Sequence, residues 1–575
     1  MKNFNIYIGL ITSILFFSAC NDEFLERKPL DQVGSELYFK KPNDLKAYVN
    51  QYYSNTFFPR YNNYGNDFDS DNEIQSTVDR RLEGSLTVAT SGSIGFGNVR
   101  SLNYFFDNYK RVEESYELAA YQQYVGEAYF FKALAYFSLL QSYGDIQWLD
   151  TELGTSSSEL YKPRDPRNYV VDRIISALDT AAMYLTAEKT NGAGRVNKWM
   201  ALLIQSRVAL YEGTWEKYHN GTPFGVSNPQ SDKYLNKVVE ATTKIMDSKL
   251  YDIYSTGDPA NDYKSLFSLM DYTGNTEVMF WRKYNNDLSQ GSSSFTNDRN
   301  FRMQTPAGKS MTKQMVDSYL CIDGKPIAGN SLFQGYSSLS EEVKNRDPRF
   351  KQTIATADQI WKIQSNGSTL NWDQVYGKLN SSTDYNSPAG YIIQKGYNPN
   401  VNFHVQQFEE TPSILYRYAE VLLNYAEAKA ELGTITQGDI DITIKKLRDR
   451  VNMPNLSLSN ISADPNWNFP TLSPIINEVR RERRVELVAE GFRWDDIARW
   501  AAADELIVGK RPKGFLASQV SQNPFTVDQN GFLDPFQRAL PNGYQFRLDR
   551  DYLSSIPESE IALNPENLTQ NPGWK

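Results

Sequence analysis

Three groups of residues in this chain have types and spacings that could perform chemistry. Glu482, Glu486 and Glu490 recur every four residues, which puts three carboxylates on one face of a helix. Two carboxylates flanking a glycosidic bond would be glycosidase chemistry. A general acid needs a raised pKa, however, and Arg483 and Arg493 fall beside the same stripe. Paired arginines lower a carboxyl pKa, so the stripe reads as ion pairing between helices. Asp67-x-Asp69-x-Asp71 has the opening spacing of an EF-hand calcium loop. It then fails, with Asn72 where Gly is needed and Val78 where the closing Glu should stand. An Asx-rich surface loop is the favoured reading, and calcium in another geometry is the alternative; no other cofactor is expected. Gly95-x-Gly97 lacks the third glycine of a phosphate-cradling turn. His219 and His404 have no Cys, His or acidic neighbour at metal-ligand spacing and read as surface or loop histidines.

The richer signal is aromatic. The 575 residues include Tyr 37, Phe 30 and Trp 10, too many for a chain that never packs. A pyranose ring presents an apolar C–H face to aromatic rings, while its hydroxyls need Asn, Asp, Gln or Arg partners. Rings alternate with such residues in Tyr61-Asn62-Asn63-Tyr64, Phe96-Gly97-Asn98, Trp281-Arg282-Lys283-Tyr284-Asn285-Asn286 and Asn371-Trp372-Asp373, with Trp361 nearby. Stacking of nucleobases on rings, a related contact, contributes roughly 1–3 kcal/mol each. Two or three platforms would therefore give micromolar to millimolar binding, suited to a protein that hands its ligand on. The alternative for each ring is packing beneath a long loop. Lys+Arg 60 against Asp+Glu 69 leaves a net charge of −9, which excludes a general nucleic-acid binder.

Helical spacing frames these rings. Val125, Tyr129, Ala133, Tyr136 and Leu140 form one stripe, closed by Gly144. A second helix follows Asp165-Pro166, a third runs from Val196 to Tyr211 and stops at Gly213, and a fourth covers Tyr234 to Ile245. Leu415 to Ala430 forms a fifth, ending at Gly433, and further helices are expected at about 437–451, 474–490 and 494–503. Alanines in the first and fifth let neighbouring helices approach closely, as stacked pairs require. The pattern reads as degenerate tetratricopeptide-like pairs, with a generic bundle as the alternative. Between Asp247 and Thr411 it lapses into Asn-, Ser-, Gly- and Tyr-rich segments, with strand-like pieces at Glu277–Trp281 and Tyr391–Lys395. A stretch this long without helices implies a functional subdomain.

The first residues carry an address. Lys2 precedes the uncharged run Ile6 to Phe17, which is too short to span a membrane and suits a signal peptide. Phe17-Ser18-Ala19-Cys20 resembles a bacterial lipobox, although Phe17 stands where Leu is preferred. Cys20 would then be acylated and become the first mature residue, and acyl chains at about 0.8 kcal/mol per buried CH₂ would anchor the protein. An ordinary secretory signal with a stray cysteine is the alternative. With Cys20 acylated, Cys321 has no intramolecular partner. Acidic residues directly after Cys20 resemble the export signal of some surface lipoproteins.

Four further segments carry a family resemblance. Tyr129 to Phe137 with Tyr143-Gly144-Asp145-Ile146, Tyr418 to Ala428, Arg481 to Leu487 continuing to Trp500, and Tyr552 to Trp574 resemble, in order, the hallmarks of the SusD/RagB outer-membrane lipoproteins. Gln147 and Ser555 stand where that family usually has Pro. The resemblance implies a mainly α, tetratricopeptide-like scaffold of about eight helices carrying a loop-rich binding subdomain. It implies a signal peptide over 1–19, a lipidated tether over 20–32 and one domain over 33–575. The scaffold would occupy about 112–250 and 411–503, and the binding region about 57–98 and 251–410. It further implies a non-enzymatic, cell-surface protein that captures glycans for a SusC-like TonB-dependent transporter. Peptide or other nutrient capture, or a structural lid for the transporter, are the alternatives. Glu277–Trp281 is similar to the family strand whose following loop faces ligand, which makes Trp281 and Tyr284 the first-choice ring contacts, with Asn285 beside them.

Overall fold

The computed structural model describes residues 38–54, 56–59, 66–68, 70–189, 194–288 and 295–575. Cys20 lies outside them. Two short entry helices, α1 (Pro42–Asn50) and α2 (Gly97–Asn108), pack on α3 (Gln122–Tyr143). Next come α4 (Arg167–Tyr184), α5 (Lys198–Tyr218) and α6 (Ser231–Asp247), each packed on its predecessor. After the loop-rich region, α7 (Tyr418–Glu431) returns to pack on α5 and α6. It is followed by α8 (Gln437–Ile442), α9 (Ile444–Arg450), α10 (Pro474–Glu486), α11 (Arg493–Arg499) and α12 (Ala503–Leu506).

Local chemistry explains most of these boundaries. Asn197 caps α5 by accepting from the backbone N–H groups of Trp199 and Met200. Gly144, at φ 73°, ends α3 in a conformation that a side chain would strain. Gly213 does not end its helix as expected. α5 continues through it to Tyr218; the glycine instead admits α6, since a Cβ there would meet Leu235 Cγ at 3.0 Å. The helix expected over 437–451 is broken at Thr443, whose ψ of −90° is not helical.

α5 is buried almost all round, so its polar side chains must find partners inside the protein. Glu212 accepts three bonds from Arg167 at 2.7–3.0 Å, and Gln205 donates to Asp179 at 2.8 Å. α6 has a solvated face, and it buries only the stripe Tyr234, Leu235, Val238, Ala241, Thr242 and Ile245.

The region between α6 and α7 has a hydrophobic core of its own, built around Tyr263, Phe267, Phe350, Trp361, Trp372, Tyr391 and Tyr397. Its joint to the scaffold is a two-stranded antiparallel pair, β1 (Val278–Arg282) with β2 (Ser413–Arg417), in which Trp281 faces Ile414 and β2 runs straight into α7. The piece expected as a strand at Tyr391–Lys395 makes only the isolated bridges Met311–Tyr391 and Ile354–Ile393. Too few neighbours run beside it to form a ladder. Cys321 is free and buried. Among the described residues, no helix is long and apolar enough to cross a membrane.

Candidate functional site

Most of the rings singled out by their Asn- and Asp-rich surroundings are interior. Trp281, Tyr284, Trp361 and Trp372 are between 0% and 8% exposed, so none offers an open face for stacking in this structure. Trp281 lies edge-on to Tyr272 at 5.6 Å, and Trp372 packs between Trp361 and Tyr397. Trp361 Nε1 donates to the Gln304 carbonyl at 2.8 Å. The physical reason is that a long loop-rich insert needs its own apolar core, to which Trp281, Trp361 and Trp372 belong. Asn285 is partly buried and shapes the turn, its backbone N–H donating to the Phe295 carbonyl at 2.8 Å. Phe96 packs partly against the scaffold core, and Asn98 lies in the first turn of α2. Tyr61 and Tyr64 lie outside the described residues.

Where the scaffold meets the loop-rich region there is a cleft of about 540 Å³. It adjoins a smaller one of about 140 Å³ that shares Arg207, Leu415, Glu490 and Asp495. Clefts of this size at a seam between substructures are where small ligands usually bind. Phe57, Phe137 and Leu134 form apolar wall, and Gln141, Arg207 and Asp495 form polar wall. Pro59 and Asn66, the described residues on either side of 60–65, both line it.

Each wall is held from behind. Arg282, at the end of β1, donates Nη1 to the Phe58 carbonyl at 2.7 Å and fixes the segment that carries Phe57. Phe58 packs edge-on against Phe280 at 5.0 Å, while Phe57 leans on Phe131 at 5.3 Å. Arg207 is locked by Glu420 through two bonds of 2.7 Å and lies over the rings of Tyr416 and Phe492. Gln141 Nε2 donates to Asp495 Oδ2 at 2.9 Å. Desolvation, with Asp496 next to it, pushes the Asp495 carboxyl up to about 6. The cleft thus sets fixed donors and an acceptor against an apolar wall, which suits a polyhydroxylated ring.

The groups that could have suggested catalysis are otherwise engaged. Glu482 accepts from Arg349 and Arg448, Glu486 from Arg349, Arg417 and Arg450, and Glu490 from Lys395 and Arg417. The stripe is structural, but its partners come from distant segments. Arg483 instead pairs with Asp496, and Arg493 with Asp71. Asp67 accepts from the backbone N–H groups of Ala489 and Gly491, and Asp71 is bound by Arg484 and Arg493. Asp67 and Asp71 are therefore buried rather than part of a surface loop, and they fasten to the end of α10 and the turn into α11; Asp69 lies outside the described residues. His219 is a core residue and not a surface one. It stacks on Trp215 at 4.0 Å, its Nε2 lies 2.8 Å from the Ala498 carbonyl, and burial pushes it down to about 3. His404 sits in a loop, with Nε2 2.7 Å from the Asn398 carbonyl.

Residues 268–574 match the profile of the SusD family, and residues 19–210 match a profile described as starch-binding associating with outer membrane. SusD-like protein P38 of Formosa agariphila is 23% identical over 88% of this chain and 93% of its own length. A SusD-like protein of Bacteroides ovatus is 22% identical over 97% of this chain and 96% of its own. Among solved structures, a SusD-like carbohydrate-binding protein of Bacteroides fragilis superposes with a TM-score of 0.68 at 20% identity, covering 92% of this chain and 99% of that one. A structure solved with a xylogluco-oligosaccharide superposes at 0.58 and 17% identity, covering 91% and 97%. The mainly helical, tetratricopeptide-like fold is shared with the SusD-like structures of Bacteroides fragilis.

Proposed function

The chain belongs to the SusD family, and from that premise we propose that it is a surface lipoprotein that captures oligo- or polysaccharide without cleaving it and delivers it to a TonB-dependent outer-membrane transporter. The observation that carries the glycan reading is the seam cleft, which the rings of Phe57 and Phe137 line together with Gln141, Arg207 and Asp495. Apolar wall beside fixed donors and an acceptor is what a pyranose needs. The fold-sharing protein described as carbohydrate-binding, and the one solved with a xylogluco-oligosaccharide, support the same ligand class. Tyr61 and Tyr64 are kept as proposed ring contacts for the ligand. Cys20 carries the lipid in this reading, and the transporter is the partner that receives the ligand.

Calorimetry and affinity electrophoresis against a panel of neutral polysaccharides test the proposal. Binding to at least one of them is expected, with the glycan recovered uncleaved. Phe57→Ala with Gln141→Ala should weaken it at least tenfold while the protein stays folded. Binding to peptides and to no glycan would overturn the reading in favour of peptide capture. A Cys20→Ala protein that still fractionates with the outer membrane would overturn the anchor.

A further inference from the structure

A second cleft, of about 240 Å³, opens beside α10, between the segment 464–469 that leads into that helix and residues 314–336 of the loop-rich region. It shares no lining residue with the seam cleft. Trp467 lines it, flanked in the chain by Asn466 and Asn468. Unlike Trp281, Trp361 and Trp372, this indole is partly exposed and belongs to none of the hydrophobic cores. Among the described residues, no aromatic ring and no cation lies over either of its faces.

The segment that carries the ring is fixed on both sides of it. The Trp467 backbone N–H donates to the Asp464 carbonyl at 3.2 Å, and Nε1 donates to Glu478 Oε1 at 3.3 Å. Asp464 is itself held, its Oδ1 accepting from the Asn466 backbone at 2.8 Å and its Oδ2 from Arg481 Nη2 at 2.6 Å. After the ring, Asn477 donates Nδ2 to the Phe469 carbonyl at 2.8 Å and accepts from the Phe469 backbone at 3.2 Å. The indole is therefore a positioned ring with uncovered faces.

Four arginines line the cleft, and each already has a carboxylate. Arg480 has Glu431, Arg481 has Asp464, and Arg484 and Arg493 share Asp71. Asp317, also in the wall, is paired with Lys313. The charges are thus matched, but the N–H groups are not all spent. Arg493, 3% exposed, donates Nε and Nη2 to Asp71 at 2.7 and 2.9 Å, and its Nη1 makes no hydrogen bond among the described residues. Arg480, also 3% exposed, donates Nη2 to Glu431 at 3.0 Å, while its Nε is buried without an acceptor. The exposed amides of Asn466 and Asn468 are likewise unbonded among the described residues. Buried donors left without an acceptor are costly, and a ligand oxygen would relieve that cost.

An uncovered indole beside spare donors whose charge is already neutralised matches one ligand chemistry. We propose that this cleft is a second glycan subsite that takes a neutral pyranose unit. The sugar's apolar face rests on Trp467, and its hydroxyls accept from Arg480 and Arg493 and exchange bonds with Asn466 and Asn468. A sulfated or carboxylated sugar gains nothing here, since each arginine has its counter-charge. The ligand class rests on the glycan-capture reading, but the residues are separate from the seam cleft, so either site can fail without the other.

The test is calorimetry of the full protein carrying Phe57→Ala and Gln141→Ala, with cellohexaose, xylohexaose, maltohexaose and a xyloglucan heptasaccharide as probes. At least one of them should still bind, with an affinity that changes less than about twofold between 0.05 and 0.5 M salt. Adding Trp467→Ala should weaken that probe at least tenfold, and Trp467→Phe, which keeps a ring face, should retain most of the binding. Because Trp467 stands outside the cores, both variants are expected to keep the circular dichroism of the parent. Binding that survives Phe57→Ala with Gln141→Ala but is lost in Trp467→Ala alone would remove the seam cleft from the glycan reading and support this one. No probe bound by the seam variant, or a folded Trp467→Ala protein that binds as before, would overturn the proposal. Dextran sulfate bound at least tenfold more tightly than every neutral probe would overturn it as well, by showing an anion site.

Discussion

Arg417, the last residue of β2, places Nη1 2.8 Å from Oε1 of Glu486 on α10, and both side chains are buried. The strand belongs to the joint with the loop-rich region, while α10 packs on α7 of the scaffold. Arg417 also reaches Glu277 at 2.8 Å and Glu490 at 2.6 Å, and Glu486 is bound by Arg450 at 2.6 Å. One buried network of charges therefore holds both halves of the protein in register.

Truncating such a group leaves its partners charged and buried. Arg417→Ala is expected to lower the unfolding free energy by about 3–5 kcal/mol, read from the denaturant midpoint. Salt at 0.5 M should not imitate the loss, since buried pairs are screened far less than exposed ones. Burial alone would raise the Glu486 carboxyl, but Arg450, Arg417 and Arg349 together hold it well below the usual range. Its contribution is therefore complete above the unfolded carboxylate value, about 4.3, and is lost as pH falls below it.

Glu342 carries the opposite sign. Burial, with Asp317 nearby, pushes its carboxyl up to about 7, against which the bond from the Tyr391 hydroxyl at 3.0 Å is insufficient. The folded protein binds this proton more tightly than the unfolded chain does, so stability declines as pH rises from about 4.5 to 7. Glu342→Gln should flatten that decline. It should stabilise the protein at pH 8 by up to roughly 3 kcal/mol and change little at pH 4.5, as measured by urea denaturation at both values.

Gly213 tests the helix crossing. Beyond the 3.0 Å approach to Leu235 Cγ, a Cβ there would lie 3.2 Å from the Leu235 backbone nitrogen, which cannot swing aside. Gly213→Val is expected to cost about 1–3 kcal/mol by overpacking. At Gly221, where a Cβ has open space but φ is 80°, an alanine should cost about 1–2 kcal/mol through backbone strain alone. Thermal denaturation of the two variants separates the mechanisms if Gly213→Ala is milder than Gly213→Val.

The scaffold was legible in the sequence because apolar spacing in α3, α4, α5, α6 and α7 records burial directly. α2 shows the same signal in Val99, Leu102 and Phe105, and α1 in Leu45 and Val49 behind a proline at its start, although each stripe is short. Gly213 departs from expectation because a glycine that admits a neighbouring helix looks, in one dimension, like one that ends its own. The seam cleft was not legible. Phe57, Gln141, Arg207 and Asp495 come from four segments of the chain, and nothing local in any of them records that they meet.

Trp372 decides between ring as platform and ring as core. Its neighbours Asn371 and Asp373 suggest sugar binding, but the indole is fully buried and its Nε1 has no acceptor among the described residues. A stacking platform, when removed, lowers affinity and leaves stability nearly unchanged. A core ring does the reverse, because its loss opens a cavity between Trp361 and Tyr397. Trp372→Ala is therefore expected to cost about 3–5 kcal/mol of stability. Trp372→Phe should cost less, since it retains a ring and removes a buried donor whose unpaired state costs roughly 1–3 kcal/mol. Glycan affinity, measured by calorimetry at a temperature where each variant is folded, should stay within about twofold of the parent protein. A Trp372→Phe protein of parental stability that has lost glycan binding would show instead that this indole reaches the ligand.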